Sequence, residues 1–123
     1  MENNETQKEI EWKKPIEIEE GSHTGTISRV SFRDDPYEYF DVFIKLDFNQ
    51  DIELKYGCPA VLSENSKFGR LFIAFGENYE EGKKLNPTEV LVGKKVKFMT
   101  MMKKSKDGRE FAEIISDSVK PTN

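Results

Sequence analysis

From Tyr39 to Phe48, every second residue of the chain is large and apolar. Phe40, Val42, Ile44, Leu46 and Phe48 fall on one side, and Tyr39, Asp41, Phe43, Lys45 and Asp47 on the other. A period of two with β-branched and aromatic residues predicts a strand with one face in a core and the other in water. The same alternation returns after Asn49-Gln50-Asp51, with Ile52, Leu54 and Tyr56 inward. Upstream, Gly21 to Arg33 reads as a first strand in which Ile27, Val30 and Phe32 break strict alternation by one step. That slip predicts a β-bulge, and Gly25 makes a bend easier. A long, bent first strand is what a small closed barrel needs to serve two sheets. Asp34-Asp35-Pro36-Tyr37 is turn chemistry, so the three strands form a meander.

After Gly57-Cys58-Pro59 the period changes. Phe68, Leu71, Phe72 and Phe75 stand at i, i+3, i+4 and i+7, one stripe of a helix, with Ser63 or Ser66 to cap its start and Gly76 to end it. The stripe reads as core, plugging one end of the barrel. Glu77 to Lys84 is a polar loop, and Asn86-Pro87-Thr88-Glu89 starts a single helical turn through Leu91. Val96, Phe98 and Thr100 then alternate with Lys95, Lys97 and Met99. Ser105-Lys106-Asp107-Gly108 signals a hairpin, and Phe111 to Ile115 is the returning strand. Three meander strands, a helix and a two-stranded hairpin predict a mainly β fold: a five-stranded OB-type barrel with one α-helix between strands 3 and 4, over residues 15–123. An SH3-like barrel or small sandwich is the alternative. Residues 1–14 lack periodicity and read as an acidic flexible tail with Trp12 as its only anchor. Pro15 to Glu20 reads as a short strand or extended lead-in.

Composition narrows the chemistry. The chain has 123 residues and a formal net charge of −4, which argues against coating duplex DNA by charge alone. Residues 1–20 hold seven acids and three bases, so the rest is neutral overall. Within that rest, residues 94–109 hold seven bases against Asp107 alone, a local basic patch that suits an anionic ligand. One cysteine, Cys58, excludes an internal disulfide, and with one histidine, His23, it makes no structural zinc cluster. Cys58 reads as a packed small residue, and no motif pairs it with His23 for nucleophilic catalysis. No phosphate-cradling loop or dinucleotide glycine motif is present, so no enzyme and no cofactor are expected. No apolar run approaches a membrane span and the start does not look like a signal peptide, so the expected location is cytoplasmic.

The candidate chemistry lies on the wet face of the central strand. Tyr39 and Phe43 stand there with Lys45, and aromatics beside a cation on a rigid strand can stack unpaired bases. Tyr37 lies close by, and Lys55 projects from the same face of the next strand. Lys95, Lys97, Lys103, Lys104, Lys106 and Arg109 on the hairpin would hold phosphates. Asp34, Asp35, Glu38, Asp41, Asp47, Asp51 and Glu53 crowd the same part of the chain and would repel phosphate.

The sequence also resembles the small OB-fold single-stranded-DNA-binding proteins of phages and related prokaryotic elements, over roughly residues 20–121. The resemblance rests on Gly21-Ser22-His23-Thr24-Gly25-Thr26-Ile27, on Tyr39–Phe48, on Phe72-Ile73-Ala74-Phe75-Gly76 and on Leu91-Val92-Gly93-Lys94-Lys95-Val96. It implies single-strand binding on the outer face of the early strands. The competing expectation is a protein-interaction or assembly domain, in which the acidic N-terminal tail meets a basic partner or shields the binding face, and Met99, Met101 and Met102 form an adaptable contact surface. Either reading leaves an oligomer open.

Overall fold

A computed structural model describes residues 8–12 and 18–122. In chain order it contains β1 (Gly21–Arg33), β2 (Tyr39–Leu46), β3 (Glu53–Pro59), α1 (Lys67–Ala74), α2 (Pro87–Leu91), β4 (Lys95–Lys104), β5 (Glu110–Ile114) and β6 (Lys120–Pro121). The strands form one antiparallel sheet in the order β3-β2-β1-β4-β5, with β6 beside β4. The fold is mainly β, as the alternation predicts. The expected five strands are six, because Lys120 and Pro121 pair with Lys97 and Val96. A proline in a polar segment gives no strand signal, and the pairing is only two residues long. Most of the predicted tail lies outside the described residues; at its end Ile10 and Trp12 are exposed, Trp12 at 98%, so Trp12 anchors nothing there. The Pro15–Glu20 lead-in also lies largely outside them, and residues 18–20 form no strand.

The first strand organises the sheet. Residues 21–26 pair with β4 and residues 25–33 pair with β2, so β1 is shared between two neighbours and turns from one to the other at Gly25 and Thr26. Gly25 is required there by space: a Cβ would lie 2.4 Å from the Lys45 carbonyl oxygen and 2.8 Å from Ile44 Cγ2. The predicted bulge follows at once, between Ile27 and Arg29. Ser28 is the extra residue, and its hydroxyl donates to Glu53 at 2.6 Å.

The inner face carries Ile27, Val42, Ile44, Leu46, Tyr56, Val96 and Phe98, all essentially buried, beneath Phe68, Leu71 and Phe72 of α1 and Leu91 of α2. Each such side chain contributes about 1.5–3 kcal/mol by leaving water. The aromatic part of this core is a chain of rings: Phe40 stacks on Phe68 at 5.0 Å and Phe68 meets Phe72 edge-on at 4.8 Å. Phe48, expected inward by parity, is 61% exposed. β2 ends at Leu46, and beyond a strand end parity no longer dictates direction.

Helix α1 starts as predicted at Ser66, whose hydroxyl accepts from the Gly69 N–H at 2.9 Å, and ends before Gly76 at φ +92°. Gly69 lets the helix sit on the preceding turn; a Cβ there would fall 1.7 Å from the Ser63 carbonyl oxygen. Both helices lie between β3 and β4 in the chain: α1 is the expected helix, and α2, capped by Asn86, is the helical turn expected through Leu91. The hydrogen-bonded sheet does not close: β3 and β5 approach within 8 Å at Cα but share no ladder. Side chains span the seam instead. The Tyr56 hydroxyl accepts from the Asp117 N–H at 2.9 Å, and Arg70 on α1 pairs with Asp117 at 2.8 Å. Burial pushes the Tyr56 phenol up to about 12. No helix among the described residues is long and apolar enough to cross a membrane.

Candidate nucleic-acid interface

Strand register assembles the outer face row by row, because directly paired residues project to the same side. Arg33, Tyr39 and Pro59 form one row across β1, β2 and β3; Ser31, Asp41 and Gly57 the next; Arg29, Phe43 and Lys55 the third. The fourth row runs Glu53, Lys45, Thr26, Lys95 and so crosses onto β4. One step further, Lys97 faces Thr24 on one side and Lys120 on the other. Tyr39, Phe43, Lys45, Lys55, Lys95 and Lys97 therefore share one continuous surface. The bend in β1 is what joins the β2–β3 surface to β4.

Two arginines complete this face. The Arg29 guanidinium lies 3.6 Å from the centre of the Phe43 ring, and that of Arg33 lies 4.4 Å from the centre of Tyr39. Each is held by an acid: Arg29 to Glu53 at 3.0 Å, Arg33 Nε to Asp41 Oδ2 at 2.7 Å. Both rings are half-buried under these planes. Hydrogen bonds from Ser28 and then Arg29 hold the Glu53 carboxyl below its ordinary range. The hydrogen bond to Asp41 raises the Arg33 guanidinium further. Sequence reasoning misses both arginines, because the bulge at Ser28 resets the phase of β1. The broken alternation of Ile27 and Val30 is the signal that could have found them.

The acids that would repel phosphate are thus sorted by the fold. Asp41 and Glu53 are ion-paired, and Asp41 is 5% exposed. Asp34, Asp35 and Glu38 lie in the β1–β2 connection, Asp47 and Asp51 in the β2–β3 connection. The strand rows keep five further cations on the outer face: Lys45, Lys55, Lys95, Lys97 and Lys120. A positive surface with flat stacking planes can attract a polyanion and hold its bases.

The other predicted cations lie elsewhere. β4 and β5 run past the end of β1, whose Gly21 pairs with Thr100, so residues 101–113 form an arm whose strand pairing among the described residues is internal, with one hydrogen bond from the Met102 N–H to the Glu20 carboxylate at 3.3 Å beside it. Lys103 is tied to Glu113 at 2.7 Å and Arg109 to Asp107 at 3.2 Å; Lys104 and Lys106 have no ion pair among the described residues. Tyr39 pairs with Arg33 at one end of β1 and the arm leaves beyond Gly21 at the other, and among the described residues β2 makes no approach within 8 Å at Cα to β4 or β5. The structure does not bring the arm to the two rings. Tyr37 is 72% exposed in the β1–β2 connection. Cys58 is fully buried, its thiol pushed by that burial up to about 12, and the His23 ring sits on Phe98 with its Nε2 donating to the Glu19 carbonyl at 2.6 Å.

No protein-family model matches the chain, and no curated protein is significantly similar to it.

Proposed function

We propose that the chain binds single-stranded nucleic acid, DNA in the first place, across the outer face of β1, β2, β3 and the start of β4. The sheet is then an OB-type barrel with its β3–β5 seam closed by side chains; the sharing of β1 between β2 and β4, and helices between β3 and β4, support that assignment. The observation that carries the functional reading is the pair of arginine planes stacked on Phe43 and Tyr39, set in rows with lysines that make no ion pair among the described residues. Bases stack on guanidinium planes as they do on aromatic rings, and the ion pairs hold those planes flat before a ligand arrives. Lys45, Lys55, Lys95 and Lys97 neutralise the backbone, and the arm adds phosphate contacts at a distance.

A labelled oligonucleotide of mixed cytosine and thymine tests this by anisotropy at low and moderate salt. Binding should weaken as salt rises, with a slope of about −0.7 per phosphate neutralised. Arg29→Ala with Phe43→Ala should weaken it further in a folded protein. Absence of binding at low salt would reject the reading and favour an assembly domain. The feature that favours that second reading is the arm itself, where Met101, Met102 and Phe111 are all exposed.

A further inference from the structure

Asp41 holds more acceptor capacity than its ion pair uses. Its Oδ2 accepts from Arg33 Nε, but Oδ1 is enclosed and meets no hydrogen-bond donor among the described residues. An enclosed carboxylate oxygen without a donor is costly, and such groups mark sites where a ligand can supply the missing bond. The neighbour across β3 is Gly57, which pairs with Asp41 and has no side chain to fill the space above it. The position a Gly57 Cβ would take lies 3.1 Å from Oδ1, 3.7 Å from the Tyr39 ring edge and 3.8 Å from Arg33 Nη2. The result is a notch floored by Gly57 and walled by an acceptor, an aromatic edge and a guanidinium. Arg33 is the wall that can give way: its side chain is 37% exposed and anchored to the carboxylate through Nε.

We infer that Asp41 reads the base bound at Tyr39, its Oδ1 accepting from an exocyclic amino group that enters the Gly57 notch. The inference rests on the single-strand reading above. A base that stacks on the Arg33 plane and shifts it outward brings its pairing edge to the notch. Cytosine and adenine present an amino group there, and a carboxylate accepts from it. Thymine and uracil present one N–H between two carbonyl oxygens, and the carboxylate repels both. A phosphate is repelled as well, so the notch takes the base and the lysines take the backbone. The site therefore favours amino-bearing bases over thymine and uracil.

The test compares oligo(dC) and oligo(dT) of equal length, at one salt concentration and neutral pH, on the full chain and on two variants. In the natural chain oligo(dC) should bind about tenfold tighter, the worth of one charge-assisted hydrogen bond. Gly57→Ala fills the notch without changing any charge, and Gly57 does not adopt a positive φ that alanine would resist. It should bring the two affinities to parity. Should that variant fail a folding check by thermal melt, Asp41→Asn carries the same comparison and should also shrink the ratio. Equal affinities in the natural chain, a preference for oligo(dT), or a cytosine preference that survives these substitutions would overturn the inference and leave the single-strand reading standing. Binding of neither oligonucleotide would remove both.

Discussion

The outer face of β1–β3 and the β4–β5 arm both place cations beside apolar groups, yet they hold them in opposite ways. On the face, each arginine has a ring beneath it and a carboxylate beside it, and the opposite side of those strands is core. On the arm, every residue from Met101 to Phe111 is exposed, β5 has β4 as its one strand neighbour, and Lys104 and Lys106 are held by no ion pair among the described residues. The difference matches two kinds of ligand contact. A flat base needs a flat partner, and an ion pair that already lays a guanidinium over a ring lowers the entropy lost on binding. A phosphate is a compact charge that a mobile ammonium can follow. The face is suited to orienting a ligand, the arm to attracting one.

Disturbing the support beneath the face should produce the largest effect. Gly25→Val forces a side chain against the Lys45 carbonyl and should destabilise the fold by about 3 kcal/mol in urea denaturation. Ala112→Gly on the arm should cost under about 1 kcal/mol by the same measurement. Comparable destabilisation at both positions would mean that the arm is as integral as the face. Next comes binding itself: Phe43→Ala and Tyr39→Ala should each weaken oligonucleotide affinity by on the order of tenfold, at all salt concentrations. Lys104→Ala with Lys106→Ala should do less at moderate salt and should instead flatten the salt dependence, by about 0.7 in slope for each phosphate no longer neutralised. An arm double variant that bound as weakly as the ring variants would erase the distinction.

The smallest effect concerns acid. The folded Glu53 carboxyl sits below its ordinary value of 4.5, so its contribution is complete above that pH and fades as pH falls through the folded value. Urea midpoints followed from about pH 6 to about pH 3 should fall less steeply for Glu53→Gln than for the natural chain. An unchanged slope would show that the Ser28–Arg29–Glu53 cluster adds nothing to stability.

Much of the architecture was legible because alternation reports burial directly. The bulge in β1, the helix from Ser66 and the turn at Ser105–Gly108 were all visible as changes of period or as turn chemistry. The arginine-capped rings were not. Which way Arg29 and Arg33 point depends on how many residues the bulge adds, and their partnership with Phe43 and Tyr39 depends on register between strands. Asp41 misled for a similar reason. An acid at an outward position reads as solvated, and only its pairing with Arg33 and the missing side chain at Gly57 explain how it comes to be enclosed. β6 escaped because two residues of pairing leave no periodicity.

Cys58, sealed in the core beside Phe40, has a practical consequence. Its thiol is the chain's sole native one, buried and pushed by that burial up to about 12, so thiol-reactive dyes and spin labels should pass it by in the folded protein. A single cysteine introduced at the arm tip or beside Tyr39 would then be the one labelled position. That gives spectroscopists a quiet background on which to test whether either region meets an oligonucleotide.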